Sequence, residues 1–433
     1  MARPSLSSLR ESPLLLRLFR LLHPGIGLKR WLLLASLGIA TWSVGVTFFA
    51  RQLVGSRNPE FLNVYAEGPL AILLLILGGL AILGGLAGLY RTLSPLIVGR
   101  PTLGSLGETL YSRRSRERGP RIVTIGGGTG MSVLLQGLKH HTNNLTAIIG
   151  VGDDGGSSGR LRRELGVLPP GDFRNCIVAL SDEESLLPNL LQYRFTKGNG
   201  LEGHSFGNLF LVAMSDITDS FEEALSESSK VLAVRGRIAP ATTENIRLSA
   251  RLTDGTYIEG ESNITSRGGI VENLYIDPPK AEAYVPAVEA ILEADIVVLG
   301  PGSLYTSILP NLLVSGINKA TMETKATRIY ACNVATEIGE TQGYDVSDHI
   351  AALQQHTNPT IVDWVIANNN IGDLGEGFKG QPVQLSSFVE NNLKIAEGDI
   401  VDTDHPVRHD PHKLAKLILE VYEGKVSPTN FVK

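Results

Sequence analysis

Cysteine is nearly missing: among 433 residues there are two, Cys176 and Cys332. They are far apart, with no Cys-x-x-Cys partner and no histidine at ligand spacing. That excludes a disulfide framework and a zinc site and fits reduced, buried thiols in a cytosolic compartment. Positive charge is also in short supply. A net charge of −5 and a pI near 6.0 argue against a nucleic-acid partner, because holding a polyphosphate needs a basic stripe and the densest cluster here is only Arg113, Arg114, Arg116 and Arg118. Disorder is excluded by composition, since 43% hydrophobic against 19% charged residues supports a sizeable core.

Two long uncharged runs stand out instead. "WLLLASLGIATWSVGVTFFA" (31–50) and "PLAILLLILGGLAILGGLAGLY" (69–90) each approach the ~20 residues that cross a bilayer as a helix. Arg3, Arg10, Arg17, Arg20, Lys29 and Arg30 precede the first, and Arg91, Arg100 and the arginines from 113 to 121 follow the second. The loop between them has only Arg51 and Arg57 beside Glu60 and Glu67. The positive-inside rule then places both ends in the cytoplasm, giving a multi-pass protein of the plasma membrane. Trp31 and Tyr90 suit the aromatic belts. Residues 1–30 are read as a cytoplasmic segment, 31–90 as a membrane hairpin and 91–119 as a basic tether near anionic headgroups.

From Arg121 apolar strands alternate with helical periodicity. "RIVTIG", "LTAIIGVG", "DIVVLG" (295–300), "RIYACNV" (328–334) and "IVDWVIAN" (361–368) read as strands; "MSVLLQGLKH" and "AVEAILEA" (287–294) read as helices. The expected fold is α/β, a Rossmann-like and mostly parallel sheet with helices on both faces. Residues 246–264 break the rule, alternating with period two around Asp254-Gly255, which predicts an antiparallel hairpin. His405, His409 and His412 could suggest a metal site, but Asp410 as N-cap and Pro411 at the first helical position predict an amphipathic helix with the histidines near its exposed start.

"VTIGGGTGMSVLLQGL" (123–138) runs from strand through glycines into helix. Gly126, Gly127, Gly128 and Gly130, with Thr129, let bare N–H groups approach an anion at the positive end of the helix dipole. No lysine follows until Lys139, so this is not the phosphate loop of an NTPase, and the last glycine of the dinucleotide fingerprint is absent. After the second strand, "VGDDGGSSGR" offers Asp153 and Asp154 as acceptors or Mg²⁺ ligands, Gly155 and Gly156 as a turn, and Ser157 and Ser158 as hydroxyls. "LPPGDFRNCIVAL" places Asp172 to cap a helix carrying Arg174 and Asn175, and "GHSFGNLFLVAM" sets His204, Ser205 and Asn208 around a helix start. Gly300, Gly302 and Ser303 repeat the strand, glycine loop and helix grammar in "GPGSLYTSILPNLL". Three such loops favour a phosphate-bearing ligand.

These ordered motifs, together with "HSFGNL" and "ADIVVLGPGSLYTSILPNLLV", strongly resemble the YvcK branch of the CofD-like family, the gluconeogenesis factors. The resemblance covers nearly all of 120–425, leaving 426–433 as a tail, and the membrane hairpin resembles an extension found on some members. It implies a CofD-like fold that binds a UDP-sugar, typically UDP-N-acetylglucosamine, in a regulator tying carbon supply to cell-wall synthesis and cell shape, with cell-wall synthesis proteins as partners and self-association open. By motif, Gly126 to Gly130 and residues 300–303 would face the diphosphate. Asp153, Asp154, Ser157 and Ser158 would line the nucleotide or sugar side, and Asp172, Arg174, Asn175, His204, Ser205 and Asn208 would complete the cleft. The other branch, the 2-phospho-L-lactate transferases, implies the alternative: a Mg²⁺-dependent transfer of a phospholactyl group from a nucleotide-linked donor, with Asp154 as a metal ligand. The DDGGSSG stretch favours the regulator, with no catalytic residue and no certain cofactor assigned.

Overall fold

The computed structural model describes residues 28–55, 68–97, 116–181, 186–372, 374–375, 378–385 and 393–429. Most of the basic tether, with Arg113 and Arg114, lies outside them, as do Arg57, Glu60 and Glu67. The chain divides into two units, Met1–Glu117 and Arg118–Lys433.

The first unit is a pair of helices, α1 (Leu28–Gly55) and α2 (Gly68–Ile97), containing apolar spans of 23 and 24 residues. Both are long and apolar enough to cross a membrane. Three hydroxyls of α1 are satisfied within the helix: Thr41, Ser43 and Thr47 each donate to the carbonyl four residues back, at 2.8–2.9 Å. Glycines bring the backbones together. A Cβ on Gly78 would lie 2.7 Å from the Trp42 backbone nitrogen, and one on Gly85 would lie 2.7 Å from Ala35 Cβ. Close small-residue packing of this kind is how helices associate where lipid tails remove the hydrophobic drive.

The second unit is built on a seven-stranded sheet in the order β10-β9-β8-β7-β1-β2-β3, with every pairing parallel. In chain order its strands are β1 (Ile122–Gly126), β2 (Leu145–Ile149), β3 (Arg237–Pro240), β7 (Ile296–Leu299), β8 (Thr327–Ala331), β9 (Trp364–Asn368) and β10 (Lys394–Gly398). β1, β7 and β9 are buried at every residue, as expected of central strands covered on both faces. Helix α3 (Gly128–Leu138) follows β1 and buries Met131, Leu134, Leu135 and Leu138, one helical stripe, against the sheet. The strand order reverses between β1 and β7. Their carboxyl ends therefore part into a crevice, and the two glycine loops sit on its two sides.

A separate three-stranded antiparallel sheet, β5-β4-β6, comprises β4 (Arg247–Leu252), β5 (Tyr257–Glu259) and β6 (Val271–Asp277). The Asp254-Gly255 turn is as expected: Asp254 Oδ1 accepts from Thr256 N at 2.8 Å and Gly255 has φ 84°. The hairpin is shorter than its alternation predicts, because residues 261–267 form a helix, α9 (Glu261–Arg267), rather than continuing as strand. A distant carboxylate, described below, caps that helix, and local pattern does not carry such information.

The remaining helices are α4 (Gly156–Leu165), α5 (Gly171–Leu180), α6 (Leu187–Gln192), α7 (Phe206–Thr218), α8 (Phe221–Val231), α10 (Val285–Leu292), α11 (Leu309–Leu313), α12 (Ser315–Glu323), α13 (Val346–His356) and α14 (Pro411–Tyr422). A π-helical turn, Leu304–Ile308, precedes α11. At α14, Asp410 Oδ1 accepts from His412 N and Lys413 N at 2.8 Å and Pro411 opens the helix, as expected. One histidine departs from expectation. His405 and His412 are exposed, but His409 is buried with Nε2 3.0 Å from the Cys332 carbonyl, and burial pushes its pKa down to about 4. It is a neutral core donor, 77 residues from the strand end it ties down. Cys176 and Cys332 are both buried free thiols.

Candidate functional site

The crevice is assembled from its loops upward. Gly300 N donates to Ile125 O at 2.9 Å and Gly150 N to Gly126 O at 3.2 Å, so the loops after β7 and β2 are stitched to the loop after β1. Gly130 is packed against the loop after β7: a Cβ there would fall 2.6 Å from the Pro301 carbonyl oxygen. Gly128 has φ 66°, a left-handed conformation that a side chain would strain. The first glycine run is thus required both for its turn and for its close approach to the second.

What sits on the amides of the first loop is a side chain. Asp172 accepts from the Gly128 N–H, and a Cβ on Gly127 would lie 2.6 Å from its Oδ2. Burial, and then the neighbouring Asp153, push its pKa up to about 6. Asp172 is therefore not the N-cap of α5, as its position in the sequence suggests. The cap position is Pro170, and Gly171 N is satisfied at 3.1 Å by Ser158 Oγ, which starts the helix two residues earlier and frees Asp172 to turn toward α3.

The acidic loop divides its work. Asp153 accepts from Gly155 N at 2.9 Å and from Ser158, and burial raises its pKa despite these bonds. Asp154 caps α9: Oδ2 accepts from Glu261 N at 3.0 Å, and Oδ1 accepts from Ser262 N at 2.9 Å and Ser262 Oγ at 2.7 Å. Glu261, in the first turn of α9, is pushed up to about 8 by burial and by the charges of Asp153, Asp154, Glu340 and Asp172. Beneath them Arg162 donates to the carbonyls of Val151, Gly152 and Asp153 at 3.2–3.3 Å and to that of Ile246.

A hydroxyl and imidazole network forms the next wall. Ser157 Oγ lies 2.9 Å from His204 Nδ1 and receives Asn208 Nδ2 at 3.0 Å. Burial together with Arg160 lowers the pKa of His204 and so favours the neutral imidazole. Ser205 caps α7 through Asn208 N. Arg174 donates to Ser205 Oγ at 2.6 Å, Asn208 Oδ1 at 3.0 Å and Asn175 Oδ1 at 2.8 Å, while its buried Nε has no partner among the described residues.

Two cavities flank this construction. One of about 500 Å³ opens beside the start of α3 and is lined by Thr129, Ser132, Arg174, Asn175, Arg194, His405 and Arg408, with Asp402 as its one carboxylate. The other, about 950 Å³, lies between Asp154, Arg162 and Arg163 and the outer face of β4–β6, where Arg247 is mixed with Glu259 and Asp277. A polyanion finds the purer cationic lining in the smaller one. Of the residues expected at a site, Thr129, Arg174 and Asn175 line the smaller cavity and Asp154 the larger. Ser157, His204, Ser205 and Asn208 form one hydrogen-bonded network, Asp153 bonds Ser158, and Asp172 rests on Gly128; none of these seven lines either cavity. Gly300, Gly302 and Ser303 line neither: Gly302 N donates to Asn333 Oδ1 at 3.1 Å, and Ser303 bonds Glu337, which burial pushes up to about 7.

Sequence reasoning missed Arg162, Arg194, Arg408, Glu337 and Glu340. Glu340 accepts from Thr306 and Thr265 at 2.9 and 3.0 Å, binding the second glycine loop to α9. The one available signal was Arg408, inside a stretch weighed for its histidines alone. The carboxylates do not compose a preformed Mg²⁺ site. Both Asp154 oxygens are spent on α9, and among the described residues no three His, Cys, Asp or Glu groups come together in a geometry that could hold a metal ion.

Comparison with known proteins places the chain in a family. The family model for 2-phospho-L-lactate transferase CofD matches residues 122–427. A gluconeogenesis factor of Bacillus subtilis is 44% identical over 312 residues, covering 70% of this chain and 98% of that protein. A protein of the same name group from Nostoc is 47% identical over 429 residues, covering 94% and 93%. A crystal structure of a Bacillus halodurans protein, 44% identical, matches with a TM-score of 0.66 over 70% of this chain and 100% of its own. Family match, relatives along nearly the whole length and a shared backbone all lead to one placement: the chain belongs to the CofD family, alongside the gluconeogenesis factors.

Proposed function

We propose that this protein binds a UDP-sugar, UDP-N-acetylglucosamine in the first instance, and acts as a membrane-tethered regulator linking carbon metabolism to cell-wall synthesis and cell morphogenesis. The observation that carries this reading is the 500 Å³ cavity beside α3, where Arg174, Arg194 and Arg408 converge near the helix N-terminus and Thr129. Guanidinium forks at a positive helix end suit a diphosphate. Relatives named gluconeogenesis factor support the metabolic side of the proposal. The apolar helices α1 and α2 support a membrane hairpin with the second unit on the cytoplasmic side.

The name of the matching family model keeps the phospholactyl transferase as the second reading. The globular unit corresponds to a whole protein in Bacillus subtilis, so a fragment starting near residue 118 serves for titration calorimetry. Heat with UDP-N-acetylglucosamine alone, among that compound, GDP and NADH, is the expected outcome. Arg408→Ala should weaken binding by ~10-fold or more, the worth of one charge-assisted contact. Absence of binding to the UDP-sugar, or turnover of a guanosine-linked donor with Mg²⁺, would overturn the proposal in favour of the transferase.

A further inference from the structure

The outer face of the small antiparallel sheet carries side chains that the register places side by side: Arg247 opposite Asp277, and Ser249 between Tyr275 on β6 and Glu259 on β5. Neighbouring strands run about 5 Å apart, so the three strands hold these groups within a patch about 10 Å wide. Arg163 and the carbonyl-bound Arg162 face them across the cavity of about 950 Å³. Elsewhere on this sheet charge is paired, as where Arg251 Nε lies 3.3 Å from Glu272. The side chains of Arg247, Glu259 and Asp277 form no hydrogen bond or ion pair among the described residues, although Arg247 and Asp277 are cross-strand neighbours.

The open groups therefore carry both signs. Arg163 spends one nitrogen on the Asp154 carbonyl at 3.0 Å and keeps the rest of its fork. Burial lowers the pKa of Arg162, and the charge of Arg247 lowers it further, so an anionic group brought to Arg247 relieves a repulsion built into the wall. A polyanion would be repelled by Glu259 and Asp277. A molecule with one compact anion and several hydroxyls meets no such conflict: guanidinium forks donate to the anion, and the carboxylates accept from the hydroxyls. The tyrosines supply the remaining element. Tyr275 is 45% exposed and Tyr257 58%, and the Tyr257 hydroxyl is fixed by donating to Ser249 Oγ at 2.7 Å. Standing on either side of β4, the two rings make a platform rather than the sandwich that a nucleobase would fill. A pyranose lays its face of C–H groups on such a ring and keeps its hydroxyls at the rim.

We infer that the larger cavity binds a sugar monophosphate, with its phosphate between Arg163 and Arg247, its ring on Tyr275 and its hydroxyls on Glu259 and Asp277. No residue lines both cavities, so this ligand and one in the smaller cavity can be held at once, and neither site needs the other to be filled.

Titration calorimetry of the full-length protein in detergent micelles tests this with glucose 6-phosphate as the probe, in the presence and absence of UDP-N-acetylglucosamine. Binding is expected in both cases, with inorganic phosphate bound at least ~10-fold more weakly. Arg247→Ala and Tyr275→Ala should each weaken glucose 6-phosphate by ~10-fold or more and leave UDP-N-acetylglucosamine unaffected, whereas Arg408→Ala should do the reverse. Arg247 and Tyr275 are exposed, so the thermal midpoint of both variants should match the parent's and mark the loss as one of binding. No heat with glucose 6-phosphate, inorganic phosphate bound as tightly, full affinity retained by Arg247→Ala, or loss through Arg408→Ala would overturn the sugar-phosphate site. Failure of UDP-N-acetylglucosamine alone to bind would instead overturn the function proposed for the smaller cavity and leave this site standing.

Discussion

Asp172 offers the sharpest test of how this site is built. Its carboxyl rests on the Gly128 amide and has a pKa moved from 3.8 to about 6 by burial and Asp153. The neutral acid is the form the folded protein prefers. Between these two values the native state holds more protons than the unfolded chain, so stability falls as pH rises through this window and stays low above it. At about 1.4 kcal/mol per tenfold, the penalty is ~0.5 kcal/mol at pH 4 and ~3 kcal/mol at pH 7.5. Asp172→Asn keeps an acceptor for Gly128 N–H and removes the charge. The variant should therefore be ~2–3 kcal/mol more stable than the parent at pH 7.5 and nearly equal to it at pH 4. Urea unfolding of the fragment from residue 118 at both pH values measures this directly. Asp153, Glu261 and Glu340 pull in the same direction, which is why the comparison is between variant and parent. A stability difference that does not change with pH would refute the enclosed, charge-crowded position assigned to this carboxyl.

Further outcomes follow from the same geometry. Glu261→Gln should flatten the fall in stability between about pH 5 and pH 8, because burial and four neighbouring carboxylates hold Glu261 near 8; a pH profile like the parent's would place Glu261 in solvent. Gly130→Ala forces a methyl toward the Pro301 carbonyl and should cost ~1–3 kcal/mol in unfolding experiments, with weaker nucleotide-sugar binding in calorimetry. Ser157→Ala leaves His204 and Asn208 short of a partner and should cost ~1–3 kcal/mol, whereas Ser157→Thr should recover part of the loss. A reporter fused after Lys433 should be found in the cytoplasm, and an external signal would reverse the orientation of the membrane hairpin.

Much of this fold is legible in the sequence because its strands are short, apolar and punctuated by glycine. The five-residue β1 and four-residue β7 announce themselves that way, and the loops after them carry the glycines that the crevice needs. β3 and β10 are not legible: "RIAP" and "KIAEG" are too short and too mixed to rise above loop sequence, and parallel pairing to a neighbour defines them. The same limit explains α9, whose cap comes from Asp154, 107 positions earlier. Residue types at the site were readable, whereas their tasks were not. Asp154 and Asp172 look alike as loop carboxylates, yet one closes a helix and the other fills a glycine loop, a distinction set by which amides lie within 3 Å. Arg162 was hidden for the same reason, since an arginine in a charged stretch resembles any solvated one until the carbonyls around it are known.

The guanidinium of Arg162 spans four carbonyls from two separate segments. A loop fastened at three successive peptide groups has little slack left to adjust around an incoming molecule. Whatever docks beside it meets a wall already cast, so discrimination between rival compounds must come from misfit at first contact, and adaptability has to be sought in the arginines of the open cavity.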